Sequence, residues 1–168
     1  NQITKIDTTN LNETTYRIDY SNNLIKTIPS NLFKLNYLTG LLLENNQIQS
    51  LPNAITNARI LTLLNLTNNP IKDLPPLPRT LQNLYIGYCG IKSLSNCLKP
   101  CTKLVVLDAP GNKLSDIPFL PTLKRLIAGR NLFKSIPEHL NQRLLTLDLS
   151  CNQISTLPDT FCFTDLDE

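Results

Sequence analysis

Methionine and tryptophan are absent from this chain, and histidine occurs once, as His139. With one histidine, His-based metal sites and Ser-His-Asp triads have nothing to build on, and a surface residue is the simpler reading. The five glycines form no Gly-x-Gly-x-x-Gly or Gly-x-x-x-x-Gly-Lys-Ser/Thr loop, which excludes those phosphate cradles. No apolar run approaches the roughly 20 residues of a membrane-spanning helix, and no charged-then-apolar leader opens the chain. Charge is sparse as well. Asp, Glu, Lys and Arg make up 17% of the residues, the net charge is +3, and Lys124-Arg125 is the one adjacent basic pair; nucleic-acid binders show basic clusters instead. The five cysteines, Cys89, Cys97, Cys101, Cys151 and Cys162, are an odd number without Cys-rich flanks, which fits a reducing compartment. Cys97-x-x-x-Cys101 has no second pair to complete a metal site and reads as core packing. The acidic end Asp165 to Glu168 reads as a solvated exit. The sequons at Asn12 and Asn65 arise readily by chance in a chain this rich in Asn and Thr. With no Met even at residue 1, the expectation is a piece of a longer protein. No catalytic residue, cofactor or metal is expected.

What the chain has in excess is leucine and asparagine, 33 and 20 of its 168 residues. They recur in phase. Leu38-Thr-Gly-Leu41-Leu-Leu43-Glu-Asn-Asn46-Gln-Ile48-Gln-Ser-Leu51-Pro52 returns as Leu61-Thr-Leu-Leu64-Asn-Leu66-Thr-Asn-Asn69-Pro-Ile71-Lys-Asp-Leu74-Pro75. Further copies start at Leu81, Leu104, Leu123 and Leu144, an earlier one at Thr15, and residues 1–14 hold the tail of another. The anchor position reads Asn1, Asn23, Asn46, Asn69, Cys89, Asn112, Asn131 and Asn152, at spacings of 22, 23, 23, 20, 23, 19 and 21 residues.

This pattern, L-x-x-L-x-L-x-x-N/C-x-L with a period of roughly 20–29 residues, resembles that of the leucine-rich-repeat family. The resemblance covers the whole chain, read as a single domain over residues 1–168. The longer copies are similar to the 23-residue class of cytoplasmic signalling scaffolds; the short Leu-Pro-x-Leu-Pro copies are similar to the bacterial effector class. The implied fold is an α/β solenoid, a horseshoe-like right-handed superhelix. A parallel β-sheet lines its concave face, and short helical, 3₁₀ or extended segments form the convex face. The fourth and sixth positions, such as Leu41 and Leu43, point into the core because side chains alternate along a strand. The anchor residues stack as a structural ladder whose amides pair with backbone groups that would otherwise be orphaned, and Cys89 keeps its place small and weakly polar. Six copies follow the ladder with an aliphatic-Pro pair, from Ile28-Pro29 to Leu157-Pro158, whereas the fourth has Leu94-Ser95. The stretches 29–38 and 95–104 have room for a helical turn or two, whereas 75–78 and 118–121 are Pro-rich and should be extended or 3₁₀.

Function is then expected on the concave face, where neighbouring repeats present residues about 4.8 Å apart. Its solvent-facing columns read Arg17, Gly40, Leu63, Asn83, Val106, Arg125, Thr146; then Asp19, Leu42, Asn65, Tyr85, Asp108, Ile127, Asp148; then Asn22, Asn45, Asn68, Tyr88, Gly111, Arg130, Cys151. Acids and histidines do not cluster there. Apolar Leu42, Leu63, Val106 and Ile127 stand beside Tyr85, Tyr88, Arg125 and Arg130, and Tyr and Arg are the residues that protein interfaces favour at their centre. The expected partner-binding set is Leu42, Leu63, Asn65, Tyr85, Tyr88, Val106, Asp108, Arg125, Ile127, Arg130 and Asp148, with Tyr85, Tyr88, Asp108, Arg125 and Arg130 at its core. The family implies a protein–protein interaction module in intracellular signalling, cytoplasmic, with self-association through open ends or faces as a further expectation. Two alternatives stay open. One is the substrate-targeting domain of a larger phosphatase, kinase or ubiquitin ligase. The other is an extracellular receptor or adhesion fragment.

Overall fold

Each Leu-rich phrase becomes one short strand. A computed structural model describes residues 2–9, 11, 12, 14–140 and 143–157. Seven strands are present there: β1 (Arg17–Asp19), β2 (Gly40–Leu42), β3 (Leu63–Asn65), β4 (Asn83–Tyr85), β5 (Val106–Asp108), β6 (Arg125–Ile127) and β7 (Thr146–Asp148). They pair in parallel and in chain order within one sheet, so every crossover connects neighbours. Ile18, Leu41, Leu64, Leu84, Leu107, Leu126 and Leu147 are register partners along its centre. The implied leucine-rich-repeat solenoid is the observed architecture.

The core is one continuous column. Leu41, Leu64, Leu84, Leu107 and Leu126 are fully buried, and burying a leucine side chain contributes about 1.5–3 kcal/mol. Two residues on, Leu43, Leu66, Ile86, Ala109 and Ala128 are also fully buried. Their N–H groups extend the ladder past the strand, as in Leu43 to the Asn65 carbonyl at 2.8 Å and Ala128 to the Asp148 carbonyl at 2.7 Å.

The outer segments differ from repeat to repeat. A 3₁₀ turn spans Ser30–Lys34 and another Asn53–Asn57, each entered through the proline of an aliphatic-Pro pair, Pro29 or Pro52, with φ of −71°. Leu32, Phe33 and Ile55 close these turns onto the core. The pair without proline, Leu94-Ser95, leads instead into α1 (Ser95–Leu98), which buries Cys97 and Leu98. The Pro-rich stretches 75–78 and 118–121 carry no helical turn, as expected where Pro removes backbone donors.

Candidate functional site

The inner end of each repeat is held by its anchor amide. Asn46 Nδ2 donates to the carbonyls of Leu43 and Glu44 in its own loop, at 3.1 and 3.2 Å, and to that of Tyr20 one repeat back, at 2.9 Å. Its Oδ1 accepts from Ile25 N–H at 3.0 Å. Asn69 repeats this with Leu43, Leu66, Thr67 and Ile48, and Asn112, Asn131 and Asn152 continue it. Asn23 accepts from Ile3 N–H; Asn1 lies outside the described residues. Cys89 points its Sγ at the Leu66 and Gly87 carbonyls, at 3.3 and 3.5 Å. A thiol brings no amide oxygen, so the Ile71 N–H turns to the Asn69 carbonyl at 2.8 Å.

The strand register sets the columns of the concave face side by side. One row is Arg17, Gly40, Leu63, Asn83, Val106, Arg125, Thr146, and the other Asp19, Leu42, Asn65, Tyr85, Asp108, Ile127, Asp148. Tyr85 is therefore beside Asp108, Asp108 beside Ile127, and Val106 beside Arg125. Arg125, Arg130 and Tyr88 are exposed, whereas Tyr85, Asp108, Leu42, Leu63, Val106 and Ile127 are half-buried by their neighbours.

Two predicted partner contacts, Asn65 and Asp148, do local structural work, together with Asp19 of the same column. Asp19, Asn65 and Asp148 each turn Oδ1 back onto the N–H two residues on, at Ser21 (2.9 Å), Thr67 (3.0 Å) and Ser150 (2.8 Å). Asn65 Nδ2 also donates to Glu44, an acid in the next column that sequence reasoning passed over. Asp108 is the exception, because residue 110 is proline and has no N–H to give. Among the described residues its carboxylate makes no hydrogen bond. Burial pushes its pKa up, against the pull of Arg125, and Asp148 pushes it further.

The third column carries a constraint that its residue types announced only in part. Asn22, Asn45, Asn68, Tyr88, Gly111, Arg130 and Cys151 all adopt left-handed backbone, with φ between 54° and 63°. Asparagine visits this region readily; a bulkier residue is strained there by about 1–2 kcal/mol. The three asparagines also bond to each other, Asn45 Nδ2 to Asn22 Oδ1 at 2.9 Å and Asn68 Nδ2 to Asn45 Oδ1 at 2.7 Å. Beyond them Tyr88 leans over Gly111, where a Cβ would lie 2.4 Å from its ring. The repeated Asn just ahead of the ladder residue was the signal for this column.

Cys89, Cys97 and Cys101 are free and buried, whereas Cys151 is free and exposed. Burial raises the thiol pKa to about 11 for Cys89 and about 12 for Cys97 and Cys101. At neutral pH these three thiols stay protonated, Cys97 and Cys101 packed in the core as their sequence context led us to expect, and Cys89 in its ladder place. His139 sits on the outer side, bonded to the Ile117 carbonyl and 3.7 Å from Asp116. Residues 158–168, with Cys162, Pro158 and the acidic end, lie outside the described residues. No helix among the described residues is long and apolar enough to cross a membrane.

The sequence profile of the family described as Leucine Rich Repeat matches residues 143–163. Among curated proteins, none matches the chain in sequence. Solved structures are similar along most of it. A chain of the octameric complex of Latrophilin 3, Unc5D and FLRT2, the last contributing leucine-rich repeats, is 30% identical. It matches over 94% of this chain and 52% of that one, with a TM-score of 0.84. YopM, a leucine-rich effector protein of Yersinia pestis, is 27% identical over 95% of this chain and 44% of its own, at a TM-score of 0.73. A leucine-rich-repeat protein of Leptospira interrogans is 26% identical over 81% and 43%, at 0.60. The chain thus spans about half the length, or less, of these proteins.

Proposed function

The chain belongs to the leucine-rich-repeat family, whose members bind protein partners, and on that premise we propose that the concave face from Tyr85 to Arg130 docks a partner protein in intracellular signalling. The observation that carries this reading is the strain at Tyr88 and Arg130. Both are exposed and hold φ of 55°, where the first three repeats place asparagine. Exposed residues kept in a costly backbone conformation cluster at functional surfaces. Asp108, released from turn duty by Pro110, adds an uncommitted carboxylate between Tyr85 and Ile127.

The partner suited to this surface carries carboxylates opposite Arg125 and Arg130 and an apolar or planar group against Tyr85 and Tyr88. Leu42, Leu63, Val106 and Ile127, half-buried, supply apolar surroundings that exclude water. A cytoplasmic setting is supported by the buried thiols of Cys89, Cys97 and Cys101, which direct Sγ at backbone carbonyls, the chemistry of a reduced core.

Affinity capture tests the assignment with three baits: wild type, Arg125→Glu/Arg130→Glu, and Lys26→Glu/Lys34→Glu, which makes the same charge change away from the patch. A partner held by the first and third and lost by the second is the expected result. Equal retention by all three would place the interface elsewhere.

A further inference from the structure

We propose that the chain carries a second binding site, on the side away from the sheet, that takes an extended acidic peptide segment. The site originates in repeat length. Between Asn69 and Cys89 the spacing is 20 residues, against 23 in the repeats on either side. The three missing residues are those that elsewhere make a turn. Residues 75–78 run without a helical turn between the 3₁₀ turn Asn53–Asn57 and the helix Ser95–Leu98, and a trough of about 560 Å³ opens over them. Pro76, Leu77 and Pro78 line it, with Pro100 on the side of α1.

Two guanidinium groups border this trough. Arg59 and Arg79 both line it, and each lies four residues ahead of a register partner, Leu63 and Asn83. They therefore occupy the same place in adjacent repeats, where like charges repel. Nothing acidic lines the cavity. Among the described residues neither arginine has an acidic side chain within ion-pair distance. A bound carboxylate would relieve the repulsion and could be held in bidentate fashion. Lys99, exposed and adjacent to Pro100, adds to the positive field.

The floor decides between a strand-like peptide partner and one recognised by side chains. Pro76 and Pro78 have no N–H, and the Leu77 N–H is spent on the Cys97 carbonyl at 2.9 Å. No backbone donor remains on this floor of 76–78, so recognition there falls to its apolar surface and the two arginines. That combination suits an extended chain with acidic side chains, and a lone small anion would leave most of the volume unfilled. The other short repeat lacks this pair of charges. Positions equivalent to Arg59 and Arg79 beside the extended 118–121 stretch are Thr102 and Pro121. The site is independent of the concave patch.

The test uses a fluorescein-labelled hexaglutamate peptide, which self-repulsion keeps extended at neutral pH, read by anisotropy and by amide NMR shifts. The expected result is shifts at Arg59, Leu77 and Arg79, with affinity lowered about tenfold or more in Arg59→Gln/Arg79→Gln, as befits the loss of two charge-assisted contacts. Lys26→Gln/Lys113→Gln, which removes the same charge at exposed positions outside both the trough and the concave patch, should leave affinity within about twofold, since charges away from a contact act weakly. Equal loss in both double variants would overturn the proposal, because net charge alone would then explain binding. So would inorganic phosphate shifting these resonances while the peptide does not, since the trough would then be a simple anion site. Thermal unfolding of each variant, expected to match wild type at such exposed positions, excludes misfolding as the cause.

Discussion

The first three repeats and the last four place different residues in one backbone conformation. Asn22, Asn45 and Asn68 hold φ of 54–58° and link their amides along the surface. Tyr88, Gly111, Arg130 and Cys151 hold φ of 55–63° without that link. In the N-terminal half local preference, hydrogen bonding and fold agree, which is the mark of a purely structural position. In the C-terminal half they conflict at every residue except Gly111. The exposed Tyr and Arg there coincide with Asp108, the one acid of its column among the described residues that is not folded back onto the N–H two residues on. On the proposed reading, this conflict separates scaffold from binding surface within a single chain.

The contrast can be broken or sharpened by substitution. The largest effect is expected at the ladder, which both halves share. Asn69→Ala strands the Ile48 N–H in the core and takes one of two donors from the Leu43 and Leu66 carbonyls, which keep Asn46 Nδ2 and Cys89 Sγ, and should cost about 2–3 kcal/mol, since an unsatisfied buried group costs about 1–3 kcal/mol. Urea denaturation measures it, and a loss below about 0.5 kcal/mol would show that the ladder is dispensable. Gly111→Ala comes next, at about 1–2 kcal/mol, because φ is +63° and the new Cβ meets the Tyr88 ring. Combining it with Tyr88→Ala should recover part of that loss, and strict additivity would mean the ring does not press on Gly111. Asn45→Arg, which imports the C-terminal habit into the N-terminal half, should cost about 1 kcal/mol from the left-handed backbone alone. An unchanged midpoint in urea would remove the asymmetry.

The smallest effect concerns Asp108. Its folded-state pKa is raised, first by burial, so the native state holds its proton at a pH where the unfolded chain has released it. Stability is then lost as pH rises through the carboxylate range. Asp108→Asn should be slightly more stable than wild type at neutral pH, and the advantage should vanish in acid. Thermal melts across pH follow this, and an advantage that grows in acid would reverse the assignment.

Much of this was legible in the residues. Seven in-phase copies of L-x-x-L-x-L placed every strand, the registers of both concave rows and the ladder, because a period-2 strand and a strict spacing leave one way to stack. The depth of the concave apolar residues was less visible. Leu42 and Val106 alternate outward, yet neighbouring strands about 4.8 Å away half-cover them. The turn duty of Asn65 and Asp148 was also hidden, since a polar residue at a strand end looks the same whether it faces a partner or its own backbone. The left-handed column could have been read from the recurrent Asn and from Gly111. The trough between Arg59 and Arg79 depends on a three-residue deletion acting in three dimensions, which a one-dimensional alignment of repeats shows as a gap.

The central claim is that Tyr88 and Arg130 trade stability for binding. It is tested most directly by measuring Arg130→Asn for both quantities, unfolding free energy in urea and affinity for the partner captured by the wild-type concave face. The account predicts a gain of about 1 kcal/mol in stability from relief of left-handed strain together with about tenfold weaker binding, as expected of an interface arginine. A variant that is no more stable, or that binds the partner as tightly as before, would contradict it.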